Sequence, residues 1–263
     1  MRRAILTLAL AAAIGLPPSA QAQETGASAP VEISARRALE WHRNELKFIA
    51  QGDVAAKQGA ASLHADTLTA DYRESKKSSV DIYRLTAQGN VRLEGGDGST
   101  GYGDQAVYTI DDGKAVLTGK DLRLTMPGRT ITASERMEYD TRAGQARAVG
   151  NARLVEGENT ISAATLTAFF AQGTDGKRAL SKAQAQGNVT ITTPREKLSG
   201  SSGTYNAADH TAEITGDVRI TSGQNVLEGA RATVNLATGV STLHGATEEE
   251  GGDGRVRGVF YPQ

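Results

Sequence analysis

The sequence predicts an all-β chain built as a stacked array of one small unit, on three observations. A phrase of the form Ala-x-Gly-(Asn/Asp)-(Val/Ala)-x-hydrophobe recurs at Ala50–Ala56, Ala87–Leu93, Ala148–Leu154 and Ala185–Ile191, and at Ile214–Ile220 with Ile in first place. A second phrase alternates with it, starting at Ile33, Leu63, Gly101, Ile131, Ile161, Leu198 and Leu227. It has an aliphatic residue (Gly in one copy), then Ala or Gly two positions on, then an aromatic or aliphatic residue seven to nine positions on. Beyond the N-terminal leader, no stretch longer than a turn has helical periodicity. Arg36–Glu45 comes nearest, and it fits the repeat with Trp41 in the aromatic position. A fixed period of this size in a Gly-rich chain means units that bury their apolar faces only against neighbours.

Residues 1–22 have the form of a secretory signal. Arg2 and Arg3 supply the charge, Ala4–Leu16 is an apolar run too short to span a bilayer, and Ala20-Gln21-Ala22 offers a small-x-small cleavage site. Residues 23–30 have linker composition. Cleavage after about Ala22 leaves an exported chain, and the loss of both arginines takes its formal net charge from −1 to −3. With both signs scattered, that charge excludes a nucleic-acid surface. There is no cysteine, hence no disulfide framework. The core and the ladder hydrogen bonds must carry stability alone.

From residue 31 onward each element follows the two phrases. In Gly89–Glu94, Val91 and Leu93 alternate with Asn90, Arg92 and Glu94, the period of a strand with one wet face. The same alternation recurs at Leu122/Leu124, Val189/Ile191 and Val218/Ile220. The Gly ahead of each run predicts a bend or a close backbone approach. The second phrase does not keep parity: Tyr72 lies nine residues after Leu63, Tyr139 eight after Ile131 and Tyr205 seven after Leu198. That slip predicts a bulge where the sheet turns a corner. Turn chemistry falls between phrases, at Asp111–Gly113, Asp140–Gly144, Asn206–Asp209 and Asn235–Gly239. Two longer units are expected to place their extra residues in exposed hairpin loops, Arg73–Asp81 and Ala171–Arg178. Roughly twenty short strands stacked at about 4.8 Å would make an elongated array.

The phrases themselves repeat. Ala65–Tyr72 corresponds to Ala163–Phe170 and Ala87–Val91 to Ala185–Val189, both at an offset of 98 residues. The expectation is a tandem duplication, about 33–130 and 131–226, with a closing unit 227–263.

No catalytic constellation emerges. The histidines (His42, His64, His210, His244) fall in different units without ligand spacing. Gly101–Ala106 lacks the strand-turn-helix context of a dinucleotide fingerprint. Gly95–Gly98, Gly251–Gly254 and Glu248–Glu250 are isolated loop segments, and Ser201-Ser202 lacks the pattern of a nucleophile elbow. The chain is expected to be no enzyme, and no cofactor or metal is called for.

Repeated Gly-Asn-(Val/Ala)-x-hydrophobe joined to Ile-x-Ala…Tyr-Asp, as at Ile131–Asp140, resembles the LptA/OstA-type domain of lipopolysaccharide-transport proteins. The closing Arg255–Pro262 resembles the ending of the family's soluble bridge members. This likeness implies a twisted, half-open β-jelly roll, a periplasmic location and carriage of lipopolysaccharide by its lipid A part. It further implies inner-membrane LptC-like and outer-membrane LptD-like jelly-roll domains as partners, with head-to-tail self-association. In that frame the inward, lipid-binding candidates are Val54, Val91, Leu93, Leu122, Leu124, Ile131, Leu154, Ile161, Leu166, Val189, Ile191, Val218 and Ile220. Ile33, Trp41, Val256, Val259 and Tyr261 are the candidates for partner-facing edges. The alternative is a secreted structural or glycan- or protein-binding β-solenoid with a closed core.

Overall fold

Antiparallel pairing between successive strands organises the chain, as expected where short connections join strands of period two. The structure, a computed structural model, describes residues 31–75, 78–172, 178–235, 238, 240–246 and 254–261. The signal and linker expected over residues 1–30 lie outside these, as do Glu248–Glu250, 251–253 and Pro262. Two compact units divide the described residues, one ending at Ala148 and the other beginning at Val149.

In the first unit, β1 (Glu32–Ser34) and β2 (Ala38–His42) share one neighbour, β3 (Lys47–Gln58). β2 pairs with the first half of β3 and β1 with the second. A meander of β4 (Ala61–Ser75), β5 (Ser78–Glu94) and β6 (Thr100–Thr109) follows. β6 is then shared by β7 (Lys114–Thr118) and β8 (Leu122–Met126), and β9 (Arg129–Ala133) and β10 (Arg136–Asp140) extend β8 and β7 respectively.

The second unit takes β11 (Gln145–Glu156) from Val149 on, then β12 (Asn159–Gln172), β13 (Arg178–Thr192), β14 (Lys197–Asn206), β15 (Thr211–Ser222) and β16 (Asn225–Asn235). From β12 to β16 each pairs antiparallel with the next. β17 (Val240–His244) and β18 (Arg257–Val259) share β16 as β7 and β8 share β6.

This sharing arises because the long strands fold in their middles, and the first phrase makes the fold. Gly89 and Asn90 are both left-handed, with φ of +77° and +48°. The same pair of positive angles recurs at Gly52/Asp53, Gly150/Asn151, Gly187/Asn188 and Gly216/Asp217. Glycine adopts this region freely, and Asn and Asp are the side chains that tolerate it best. Between Gln88↔Gln105 and Val91↔Gly103 three residues on β5 advance against two on β6, which is a bulge. Each bulge turns the strand, and aligned bulges crease the sheet into two limbs. The crease is pinned on its outer side in the first unit, where Asn90 Nδ2 donates to Asp66 Oδ2 at 2.9 Å and Arg36 pairs with Asp53 at 3.0 Å.

The second phrase changes phase in crossing the same crease. Its buried positions fall at Ala65, Leu68 and Ala70 in β4, following half-buried Leu63, and at Ile161, Ala163, Leu166 and Ala168 in β12. The expected slip is therefore a parity change in β4 and β12, whereas the copy that begins at Ile131 keeps its parity, with Ala133, Met137 and Tyr139 all buried.

Two expectations need correction. The described chain holds eighteen strands, but the long ones are not short: β4 runs 15 residues and β5 runs 17, because the corner is taken within a strand. The extra residues of the longer units also extend strands: Arg73–Ser75 and Ser78–Asp81 belong to β4 and β5, and Ala171, Gln172 and Arg178 to β12 and β13. Arg73 pairs with Asp81 in the β4–β5 ladder and Gln172 with Arg178 in β12–β13.

Candidate functional site

Within each unit the inward side of both limbs is apolar and is read across the strands in rows. On one limb of the first unit the register links Ile33, Ala56, Leu63, Leu93, Gly101, Leu124 and Ile131. On the other limb it links Leu39, Ala50, Leu68, Ala87, Ala106, Leu117 and Met137. The second unit repeats the pattern with Ile161, Ile191, Leu198, Ile220 and Leu227 on one limb, and Leu166, Ala185, Gly203, Ile214, Ala232 and Leu243 on the other.

Burial grades outward from the crease. Val54, Val91, Leu122, Val189 and Val218 stand at the crease and are fully buried. Each contributes on the order of 1.5–3 kcal/mol of burial. One inward step away, Leu93, Leu124, Ile131 and Ile220 are only half-buried, whereas Leu154, Ile161, Leu166 and Ile191 are buried. The thirteen residues named from the sequence thus divide into a packed floor and, in part, a more open wall. The outward neighbours Arg92, Arg123 and Arg219 are exposed.

The small residue of the second phrase is explained by the crease. Val91 faces Gly103 across strands, Val54 faces Ala65, Val189 faces Gly200 and Val218 faces Gly229. The bend brings the next strand's other limb close there. A Cβ added at Gly103 would lie 2.8 Å from Leu117 Cδ1, at Gly200 2.5 Å from Ile214 Cγ2 and at Gly229 2.8 Å from Leu243 Cγ. Where the first phrase instead begins with Ala, as at Ala87 and Ala185, the small residues Ala65 and Ala163 carry a methyl. Small and large side chains compensate at the floor.

The sequence reading missed much of the second limb: Phe48, Leu68, Leu85, Leu117, Met137 and Ile214. Leu68 and Leu117 lie across a change of parity from Leu63 and Leu122, whereas Phe48, Leu85, Met137 and Ile214 keep the parity of Val54, Val91, Ile131 and Val218, so continuing the alternation through the corner would have found them.

Among the edge candidates, Ile33 is half-buried on β1, and Val259 is half-buried on β18. Trp41, Val256 and Tyr261 are about half exposed, and Phe260 beside them is 68% exposed. β2 pairs with β3, and β17 and β18 pair with β16, and each keeps one edge of backbone groups outside these ladders.

At the β2 edge the inward row next to Leu39 begins with Trp41, followed by Phe48, Ala70, Leu85, Tyr108, Ala115 and Tyr139. Trp41 stacks on Phe48 at 5.4 Å, Phe48 meets Tyr72 at 5.1 Å, and Trp41 Nε1 donates to Tyr72 Oη at 2.8 Å. A 3-10 turn, Arg43–Glu45, follows β2. His42 sets Nε2 2.6 Å from Glu40 and Nδ1 3.3 Å from Glu45. Only the doubly protonated ring can donate to both carboxylates, and the Glu40 contact above all raises the imidazole's pKa. Glu45 is lowered, first by its bond with Lys47 and then by His42. At the far end of β4, Arg73 binds Asp111 through two nitrogens at 2.7 and 3.0 Å and Asp81 at 2.8 Å, which holds the guanidinium charged and Asp111 below the usual carboxylate range.

These features define an all-β protein in which each unit's strands are creased at left-handed corners and keep an apolar inner face. The family model described as LptA/(LptD N-terminal domain) LPS transport protein matches residues 32–144 and again 130–240. The chain belongs to that family of lipopolysaccharide-transport proteins. No curated protein matches it. Among solved structures it is similar to LptH, the LptA-homologous periplasmic component of the lipopolysaccharide transport device of Pseudomonas aeruginosa, at 11% identity and a TM-score of 0.23, covering 89% of this chain and 96% of that one. That likeness is too loose to add to the family match.

Proposed function

We propose that the protein is an exported, periplasmic carrier that holds the acyl chains of lipopolysaccharide on the inner faces of its units and passes them from an inner-membrane export complex to an outer-membrane receptor. It performs no covalent chemistry. One observation carries this reading: the inward aliphatic row of a lipopolysaccharide-transport family member grades from a sealed floor at Val54, Val91 and Leu122 to a half-buried wall at Leu63, Leu93, Leu124 and Ile131. An acyl chain laid on such a wall gains roughly 0.8 kcal/mol per methylene removed from water, while the sugar and phosphates stay wet. The thirteen inward candidates are proposed as its contacts, Val54, Val91, Leu122, Val189 and Val218 as floor and the others as wall.

The edges are proposed as the joints. The outer edge of β2, and those of β17 and β18, would add LptC-like and LptD-like jelly-roll domains, or further copies of this chain, by strand pairing. The double match of the family model and the shared offset of Thr67↔Gln88 and Thr165↔Gln186 support a tandem duplication.

The test is ultraviolet crosslinking from a photoreactive residue at Leu124 in cells, probed for lipopolysaccharide, with Arg123 on the outer side as control. An adduct at Leu124 and none at Arg123 is expected. No adduct at Leu124 or at Leu93 and Ile131 would leave the closed-core structural solenoid as the better description. Under the carrier reading Leu124→Asp should lower lipid retention more than thermal stability, and equal loss in both would count against Leu124 as a lipid contact.

A further inference from the structure

We infer that Trp41 and Arg43 form a lip at the β2 end of the first unit's inner face, binding an amphiphile with an anionic headgroup: acyl chain against Trp41 and Leu39, headgroup anion on Arg43. This rests on the carrier reading above. Three observations support it. The two inward rows of this limb do not stop at a polar cap but run out to the edge strand, ending in Leu39, 63% exposed, and Trp41, 50% exposed. Apolar groups that continue a lined face into solvent mark where a ligand or partner covers it.

The Trp41 ring is also fixed. It is stacked on Phe48 and donates through Nε1 to Tyr72, whose side chain is buried, so the exposed indole is held in place without a covering segment. A rigid aromatic loses little side-chain entropy on contact.

The third observation is a cation with no anion. Arg43 lies 4.1 Å from the Trp41 ring centroid and makes no ion pair among the described residues. The carboxylates of β2 and the turn that follows it are already taken: Glu40 by His42 and Gln51, Glu45 by His42 and Lys47. A guanidinium on an aromatic face keeps its N–H fork directed outward for a phosphate, which it binds with two parallel bonds. Cation and exposed aliphatic side by side fit a phosphorylated, acylated amphiphile better than a neutral one. They fit a partner's β-strand less well, because strand pairing uses the backbone edge of β2 and does not need Arg43.

Trp41 is the chain's only tryptophan, so its emission reports this site alone. The full mature chain would be titrated with bisphosphorylated lipid A carrying brominated acyl chains, and with its dephosphorylated form, while lipid retention is measured separately by radiolabel. The lip predicts quenching of Trp41 by the brominated lipid. It also predicts about tenfold weaker quenching affinity for Arg43→Gln toward the phosphorylated lipid, the scale of one charge-assisted bond, and no change toward the dephosphorylated one. Retention without quenching would overturn the lip and leave the carrier reading standing. Equal losses for both lipids in Arg43→Gln would overturn the anion contact. No retention at all would remove the carrier reading and the lip with it. A Trp41 shift that follows protein concentration without lipid would assign the surface to a second copy instead.

Discussion

Gly103→Ala tests the crease most directly. Gly103 has ordinary backbone angles, so the substitution is opposed by contact alone. The new methyl would sit 2.8 Å from Leu117 Cδ1, 2.9 Å from Leu117 Cγ and 3.0 Å from the Thr118 carbonyl oxygen. Leu117 is itself buried against the crease, with little room to turn. Overpacking of this kind costs about 1–3 kcal/mol. Leu117→Ala alone opens a cavity and costs about 2–5 kcal/mol. The double variant creates the Ala/Ala combination already present at Ala65 and Ala87. Its cost should stay close to that of Leu117→Ala, with a coupling energy of about 1–2 kcal/mol between the sites. Thr118 remains in place and keeps the rescue from being complete. Urea denaturation followed by circular dichroism on the four proteins of the cycle gives the number. Additive costs would refute the argument, since the two side chains would then not compete for one volume. The same cycle at Gly200 and Ile214 should agree in sign.

Other consequences follow from the same geometry. Asn188 is exposed and left-handed, with φ of +50°. Asn188→Gly should be within a few tenths of a kcal/mol of the parent, while Asn188→Val should cost about 1–2 kcal/mol of strain, read from the denaturation midpoint. Gly187→Ala should be worse than Asn188→Ala, because its methyl also meets the Ala164 Cβ at 2.8 Å. His42 has a raised pKa, so its contribution is complete below the ordinary histidine value and is lost as pH rises through the folded one. Glu45, whose pKa is lowered, contributes above the ordinary carboxylate value and loses that contribution as pH falls through its folded one. The β2–β3 turn should therefore be tightest in mildly acidic solution, between the two titrations. Amide exchange across β2 at several pH values would show this, and His42→Gln should flatten the alkaline side. Concentration-dependent sedimentation of the mature chain should detect self-association. It should weaken when Val259, on edge strand β18, is replaced by Pro, since β-ladder pairing requires the N–H that proline lacks.

Much of this architecture could be read from residue types, because the constraint that shapes it is local. Two consecutive left-handed residues within a strand demand Gly followed by Asn, Asp or another tolerant side chain. That demand writes Gly-Asn or Gly-Asp into the sequence each time the sheet creases. The alternation after it, Val91-Arg92-Leu93 or Val189-Thr190-Ile191, identifies one limb and its inward face for the same reason. The other limb was less legible. In β4 the inward positions change parity across the crease, so Leu68 and Ala70 sit inward although a count from Leu63 would not reach them, and Leu117 is likewise out of phase with Leu122.

By itself, then, the sequence determined the class of fold, the positions of the corners and the residues beside them, since backbone conformational preference and period-two burial act over a few neighbouring residues. Only the tertiary structure decided which Gly must remain Gly. That depends on whether the limb beyond the crease presents Leu117, Ile214 or Leu243, or only an Ala. It also decided that Arg43 stands over Trp41 while its neighbouring carboxylates are spent on His42 and Lys47. Such pairings join residues that the chain brings together by folding, and their energies depend on distances in space that no local pattern encodes.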